Sequence, residues 1–301
     1  MAADQYVDTP AKTAAARHDS MVAANVAQRE RLAGRERDAW AGRAQHFQAD
    51  PRRPLDTVLT EIASLLEAGD TLIDVGGGAG RLSLPLALRC REVVIIDPSA
   101  AMGEGFAQIV ETAGISNARF VKAGWLEADG ITGDVGLVAH VTYFVPAIVP
   151  FIEKLRTAVR RRAVICVRSV PPPNQIGPFF ALAHGEELAL VPGHEELLRV
   201  LEEMGVAAEL IDAGPAMASA TAATGKTRED AVRAEVESAK RAGWLGTVAP
   251  ERLGQLIDQH FDELLAETDE GFVRRSVLGA RDLLITWETD GMEVGSWRLE
   301  A

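Results

Sequence analysis

From Thr71 onward, short apolar runs alternate with segments whose apolar residues recur at helical spacing. The runs Thr71–Val75, Glu92–Asp97, Ala118–Ala123, Asp134–His140 and Ala163–Ser169 are almost continuously apolar. That pattern predicts parallel strands covered on both faces. Helical spacing fills the gaps at Leu82–Arg89, Ala101–Ala113 and Ile148–Arg160. Pro85 falls inside the first of these and predicts a late start or a kink there. Ahead of the first strand, Leu55, Val58, Leu59, Ile62, Leu65 and Leu66 form one helical stripe, stopped by Gly69. Pro171, Pro172 and Pro173 end the fifth strand. A helix over His194–Met204 closed by Gly205, a sixth strand at Ala207–Ala213 and a final one at Arg281–Thr289 follow. Strand and helix in alternation predict an α/β fold with a doubly wound, mostly parallel sheet.

Two regions lie outside this alternation. Residues 1–54 are rich in Ala and Arg, with helical segments at Met21–Leu32 and Arg35–Phe47, and are closed by Pro51 and Pro54. Residues 216–279 read as polar and helical, with Leu253, Leu256, Ile257, Phe261, Leu264 and Leu265 as one apolar stripe. The expected organisation is a helical segment over 1–54, a core over 55–215, a helical insertion over 216–279, and a last strand within 280–301.

Charge narrows the partners. The 301 residues carry a net charge of −13 with a pI near 5.0. An acidic surface repels phosphate backbones, so nucleic acid is not the expected partner. The one basic cluster, Arg156, Arg160, Arg161 and Arg162, reads as the solvated end of a helix, where cations suit the macrodipole. The two cysteines, Cys90 and Cys166, have no framework spacing and fit a reducing compartment. With no leader-like apolar segment and no apolar run near the ~18 residues of a membrane span, a cytoplasmic location is expected.

The first strand ends in the densest chemical signal, Thr71-Leu-Ile-Asp-Val-Gly-Gly-Gly-Ala-Gly80. In an open α/β sheet, ligands bind beside such turns at the carboxyl ends of strands. Counted from Gly76, a dinucleotide G-x-G-x-x-G would need glycine at 81, where Arg81 stands. The spacing is instead D-x-G-x-G-x-G, with Asp74, Gly76, Gly78 and Gly80, and Gly77 between them. The second strand ends in Asp97-Pro98-Ser99, and Asp97 lies 23 residues beyond Asp74 (97 − 74). Such an acid suits both hydroxyls of a ribose, while Asp97 or Ser99 could equally cap the next helix.

This motif resembles motif I of the class I, Rossmann-like methyltransferases that use S-adenosylmethionine. The resemblance covers roughly residues 55–215 and the last strand. It implies a seven-stranded sheet with the last strand antiparallel, and helical parts at 1–54 and 216–279 that roof a small-molecule acceptor pocket. It further implies that Asp74 and the glycines face the methionine part of the cofactor, and that Asp97 and Pro98 lie at the ribose. Met102 would pack on the adenine, with Gly124, Trp125 and Leu126 around that ring. Trp125 could instead be a core residue. His140 and Tyr143, past the fourth strand, would lie beside the sulfonium and acceptor, His140 as general base; a structural histidine is the alternative. Arg43, Arg52 or Arg53 could meet the methionine carboxylate. The family's DNA-amine branch carries N/D-P-P-Y/F at that strand end, whereas this chain has His140-Val-Thr-Tyr143.

Other chemistries find no support. His184 and His194 with Glu186, Glu187, Glu195 and Glu196 lack metal-ligand spacing, and those acids fit first turns of helices, so no metal is expected. There is no G-x-S-x-G elbow, and Gly225-Lys226-Thr227 lacks the glycine spacing of a P-loop. The expected activity is methyl transfer from S-adenosylmethionine to a small molecule. The alternatives are an RNA or protein methyltransferase with the same core, or a non-catalytic cofactor-binding protein. A homodimer is left open.

Overall fold

The sheet is built from seven strands in the order β3-β2-β1-β4-β5-β9-β6. They span Thr71–Val75 (β1), Glu92–Ile96 (β2), Ala118–Val121 (β3), Gly133–Ala139 (β4), Val159–Arg168 (β5), Glu209–Pro215 (β6) and Arg281–Glu288 (β9). This is a computed structural model, and it describes residues 13–33, 48–216 and 225–289. The helix expected over 35–47, with Trp40 and Arg43, lies outside the described residues. β1, β2, β3, β4 and β5 pair in parallel, whereas β9 runs antiparallel between β5 and β6. The seven-stranded sheet with its last strand antiparallel is therefore present. Each central strand begins or ends within a few residues of its sequence-based bounds.

Alternation along each strand sends side chains to two apolar layers. Leu72, Val93, Ile95, Val135, Leu137 and Val164 pack on one face with α2 (Thr57–Ser64), α3 (Ser83–Ala87) and α4 (Ala100–Ala113). Ile73, Val75, Val94, Val138, Ile165 and Val167 pack on the other with α5 (Ile148–Ala158) and α7 (His194–Glu203). Local chemistry sets the helix ends. Asp56 caps α2 by accepting from Leu59 N at 2.9 Å, and Ser99 caps α4 by accepting from Met102 N at 3.3 Å. α3 has only five residues, from Ser83, with Pro85 in its middle. A ring that fixes φ and lacks an N–H leaves little helix to build there.

α1 (Ala14–Ala33) starts earlier than its apolar pattern suggested and lies on the core. Asp19 Oδ1 accepts from Ile148 N at 3.3 Å, at the start of α5, and Asn25 donates to the Ala189 carbonyl at 2.6 Å. The insertion is not all helical. After α8 (Arg228–Ala242), α9 (Pro250–Gln259) and α10 (Phe261–Leu264), a hairpin of β7 (Leu265–Thr268) and β8 (Gly271–Arg274) follows. The apolar stripe hid it, because Leu264 ends α10 and Leu265 begins β7. A helix also missed in the sequence, α6 (Gly177–His184), packs Phe179 and Phe180 against Trp244, Leu253, Ile257 and Phe261. Arg274 is 2.7 Å from Glu235 within this layer and lies over the Phe179 ring at 5.4 Å.

Two charge readings need correction. Arg160, Arg161 and Arg162 open β5 and do not end a helix. They sit at the sheet end away from the glycine turn, paired with Asp134 at 2.8 Å, with Asp70, and with Glu288 at 2.8 Å. A patch so neutralised offers little to a phosphate backbone. Glu186 and Glu187 lie outside any helix; only Glu195 and Glu196 occupy a first turn, that of α7.

Candidate functional site

The carboxyl ends of β1, β2, β4 and β5 share one rim of the sheet, and the expected residues gather there. Past Val75 the chain turns on Gly76, Gly78 and Gly80, at φ of 70, 55 and 82°. That left-handed backbone is open to glycine at little cost. Gly76 N donates to the Ile96 carbonyl at 2.7 Å, which ties the turn to the end of β2. Gly77 is needed for a different reason: a Cβ there would stand 2.2 Å from Asp74 Oδ2.

Asp74 is the anomaly of the rim. It is 1% exposed, and neither carboxylate oxygen has a hydrogen-bond partner. The Ser83 hydroxyl approaches without reaching hydrogen-bond geometry and is itself unpartnered. Burial pushes the Asp74 carboxyl up to about 7, the Ser83 hydroxyl offsets part of this, and the Asp97 charge adds to it. An unpaired buried acid is costly, and its place at the carboxyl ends of the strands makes this rim the candidate site.

Asp97 does not cap α4; Ser99 does. Asp97 Oδ2 accepts from Gly78 N at 3.0 Å and Oδ1 from Ser99 N at 2.9 Å. These two bonds hold the carboxylate against the glycine turn. Pro98 beside it is exposed. Met102 is buried under the turn, where a Cβ on Gly78 would meet its Sδ at 3.4 Å. Asp74, Asp97, Met102 and the four glycines thus converge.

The loop after β3 is arranged differently from expectation. Trp125 is 6% exposed and donates its Nε1–H to the Phe151 carbonyl at 3.2 Å. Its ring meets Phe151 edge-on at 6.4 Å, with Lys154 Nζ 5.0 Å from its centre. The indole is committed to the α5 layer and does not stand ready to stack on a base. Leu126 is exposed and Gly124 half-buried, so the loop presents those two instead.

His140 and Tyr143 also differ from the expected base and its neighbour. His140 is the one described non-glycine residue at positive φ, 59°, where the chain leaves β4. Its N–H donates to the Cys166 carbonyl at 2.9 Å, and its Nδ1 is 3.4 Å from the Tyr143 hydroxyl. Burial, then Arg168 and Arg81, drive its pKa down to about 3. Its surface is partly open, and the two guanidinium groups oppose a third positive charge beside them. A neutral imidazole of that basicity is a weak general base. Tyr143 is 1% exposed, accepts from Arg168 N at 2.7 Å, and is raised well above the usual phenol range by burial. It braces the end of β5.

Three arginines stand near this rim, and of these the sequence reading names only Arg53 as a site candidate. Arg53 donates from Nη2 to the Arg81 carbonyl at 2.8 Å, so its guanidinium stands against the glycine turn. Arg168 ends β5, 3.1 Å from Asp282. Arg81 had served only to exclude the dinucleotide motif. Arg52 turns away, to the Ala113 carbonyl at 2.9 Å. Among the described residues, no group of acids, histidines and cysteines could hold a metal, and no helix is long and apolar enough to cross a membrane.

No protein-family model matches the chain. The probable ribosomal RNA small subunit methyltransferase A of Pyrobaculum aerophilum is 43% identical over 61 residues. That match spans 20% of this chain and only 25% of that protein. Among solved structures, the [4+2]-cyclase SpnF aligns over 93% of this chain and 98% of its own, at 13% identity and TM-score 0.49. Geranyl diphosphate C-methyltransferase from Streptomyces coelicolor A3(2) aligns over 76% and 79%, at 16% identity and TM-score 0.44. An rRNA methylase from Streptococcus thermophilus aligns over 54% and 87%, at 17% identity and TM-score 0.37. All three stay below a TM-score of 0.5, and they are named for a cyclisation, for methylation of an isoprenoid diphosphate and for methylation of RNA. The chain's own residues establish its class: a doubly wound α/β sheet with an antiparallel last strand, and a glycine turn set over two buried carboxylates.

Proposed function

We propose that this chain is an S-adenosylmethionine-dependent methyltransferase acting on a small-molecule acceptor. The observation that carries the reading is the unpartnered Asp74 carboxylate under the glycine turn, with Asp97 at the neighbouring strand end. Two buried acids side by side disfavour a pyrophosphate and favour a cationic ligand. A nucleoside bearing a sulfonium and an ammonium group has that character, and its ribose hydroxyls suit Asp97.

Bound S-adenosylmethionine supplies an electrophilic methyl group on a positively charged sulfur. The chain contributes placement and charge. Asp74 would accept from the ammonium, Asp97 from the ribose hydroxyls, and the glycine backbone would allow close approach. Met102 would support the adenine, and Gly124 and Leu126 its edge. At the end of β4, the neutral His140 can orient a nucleophile by a hydrogen bond and does little as a base. The gain is mainly alignment for in-line displacement.

The name of the curated relative favours a second reading, RNA as acceptor. The net charge and the neutralised arginines at the start of β5 weigh against it. Calorimetric titration with S-adenosylhomocysteine and, separately, NAD tests the cofactor. Binding of the first alone is expected, and preference for NAD sinks the reading. Binding of a short RNA that weakens steeply with salt would favour the second.

A further inference from the structure

Arg81 leaves the glycine turn directly after Gly80, and among the described residues its guanidinium has no hydrogen-bond or ion-pair partner. It is half-buried. Burial, then the like charges of Arg168 and Arg53, hold its pKa below the usual arginine range, and Asp56 compensates in part. Asp56 is also occupied as the α2 cap. Arg168 and Arg81 are the same two charges that act on His140. Arg81 thus stands beside the Arg53 guanidinium, which donates to its carbonyl at 2.8 Å, and its charge is felt at the ends of β4 and β5.

A half-buried cation beside Arg53 and the Asp282-paired Arg168, with no ion-pair partner of its own, is unfavourable unless something supplies the opposite charge. The rest of the molecule is strongly acidic, so this positive patch is a local inversion that would draw in an anion. The geometry points to an acceptor that carries an anionic group, a carboxylate or phosphate, gripped by Arg81 beside the end of β4. Guanidinium geometry suits either group, through two parallel N–H···O bonds. The inference rests on the methyltransferase reading and narrows its acceptor. The other source of such a group is the carboxylate of the cofactor itself.

The test compares the full chain with Arg81→Gln and Arg81→Lys by calorimetry and thermal melting. S-adenosylhomocysteine and 5′-methylthioadenosine, which lacks the amino-acid part, probe the cofactor side. Inorganic phosphate and benzoate, titrated with and without S-adenosylhomocysteine, probe the acceptor side. Anion binding to the wild type is expected, at least tenfold weaker in Arg81→Gln and largely restored in Arg81→Lys, with S-adenosylhomocysteine affinity changed less than threefold. Without ligand, Arg81→Gln is expected to melt about 2–4 °C higher, because a repelled charge is gone. No anion binding by the wild type, or equal binding by Arg81→Gln, overturns the proposal. A tenfold loss of S-adenosylhomocysteine affinity with 5′-methylthioadenosine unaffected also overturns it, by assigning Arg81 to the cofactor carboxylate. A lower melting point for Arg81→Gln would reveal a structural counter-ion and count against it. Failure of the wild type to bind S-adenosylhomocysteine would defeat the methyltransferase reading, while the anion titrations on the free protein still decide the role of Arg81.

Discussion

Replacing Asp74 by Asn removes a buried charge while keeping shape, and its effect should depend on pH in a way few surface changes could mimic. The Asp74 carboxyl is raised from 3.8 to about 7. Below the unfolded value both folded and unfolded chains hold the proton, so the difference between wild type and variant is constant there. Between 3.8 and about 7 the unfolded chain releases its proton and the folded chain keeps it, so wild-type stability falls relative to the variant. Above 7 the difference levels off. At 1.36 kcal/mol per pKa unit the full swing is about 4 kcal/mol. That corresponds to a gap in melting temperature that widens by about 8–16 °C across the window. Melts of both proteins from pH 4 to 8, without ligand, measure it. The Asn side chain brings its own unpaired amide, so only the change in the gap with pH is diagnostic. A gap that stays flat would refute the account of Asp74 as a desolvated, unpartnered acid. Ligand binding should run the other way. S-adenosylhomocysteine needs the ionised form, so its affinity for the wild type should weaken about tenfold per pH unit below 7. At pH 8 Asp74→Asn should bind it about 10- to 150-fold more weakly, from 1.5–3 kcal/mol for a charge-assisted hydrogen bond.

Asp97→Ala should cost about 1.5–3 kcal/mol of S-adenosylhomocysteine binding, read by calorimetry; unchanged affinity would confine Asp97 to its bonds with Gly78 and Ser99. Because the folded-state pKa of His140 is lowered, acid below about 6.5 protonates the unfolded chain first, and stability is lost as pH falls toward 3. His140→Gln should flatten that acid limb in urea titrations, and should leave no missing titration between pH 6 and 9 in the rate profile; loss of such a limb would restore His140 as the base. Arg274→Ala strands Glu235, which is 2% exposed, and should cost about 3–5 kcal/mol in urea unfolding. A cost under 1 kcal/mol would mean that water reaches the pair.

Much of this fold was legible in the chain because local rules and tertiary demands agree. The apolar runs of β1, β2 and β4 could be little else than strands covered on both faces, and the Asp97-Pro-Ser99 segment announces a helix start by its capping chemistry. The glycines of 76–80 and the acid at 97 carry their spacing with them. Reading failed where a segment's pattern fits two structures. Leu264 and Leu265 continue a helical stripe into a hairpin, and only packing on α8 and α6 separates them. Arg160, Arg161 and Arg162 look like a helix end until β4 and β9 supply Asp134 and Glu288. Trp125 could face a ligand or the core, and the carbonyl of Phe151, 26 residues away, decides for the core. The roles of titrating groups were least legible. His140 has an ordinary pKa as a residue type, and only the folded chain sets Arg168 and Arg81 beside it. By itself the sequence determined the layers and the glycine turn, since period, capping and turn geometry are local properties. The tertiary structure alone decided which acid went unpaired and which arginine lacked a counter-ion, because desolvation and long-range charge exist only once distant strand ends are brought to one rim.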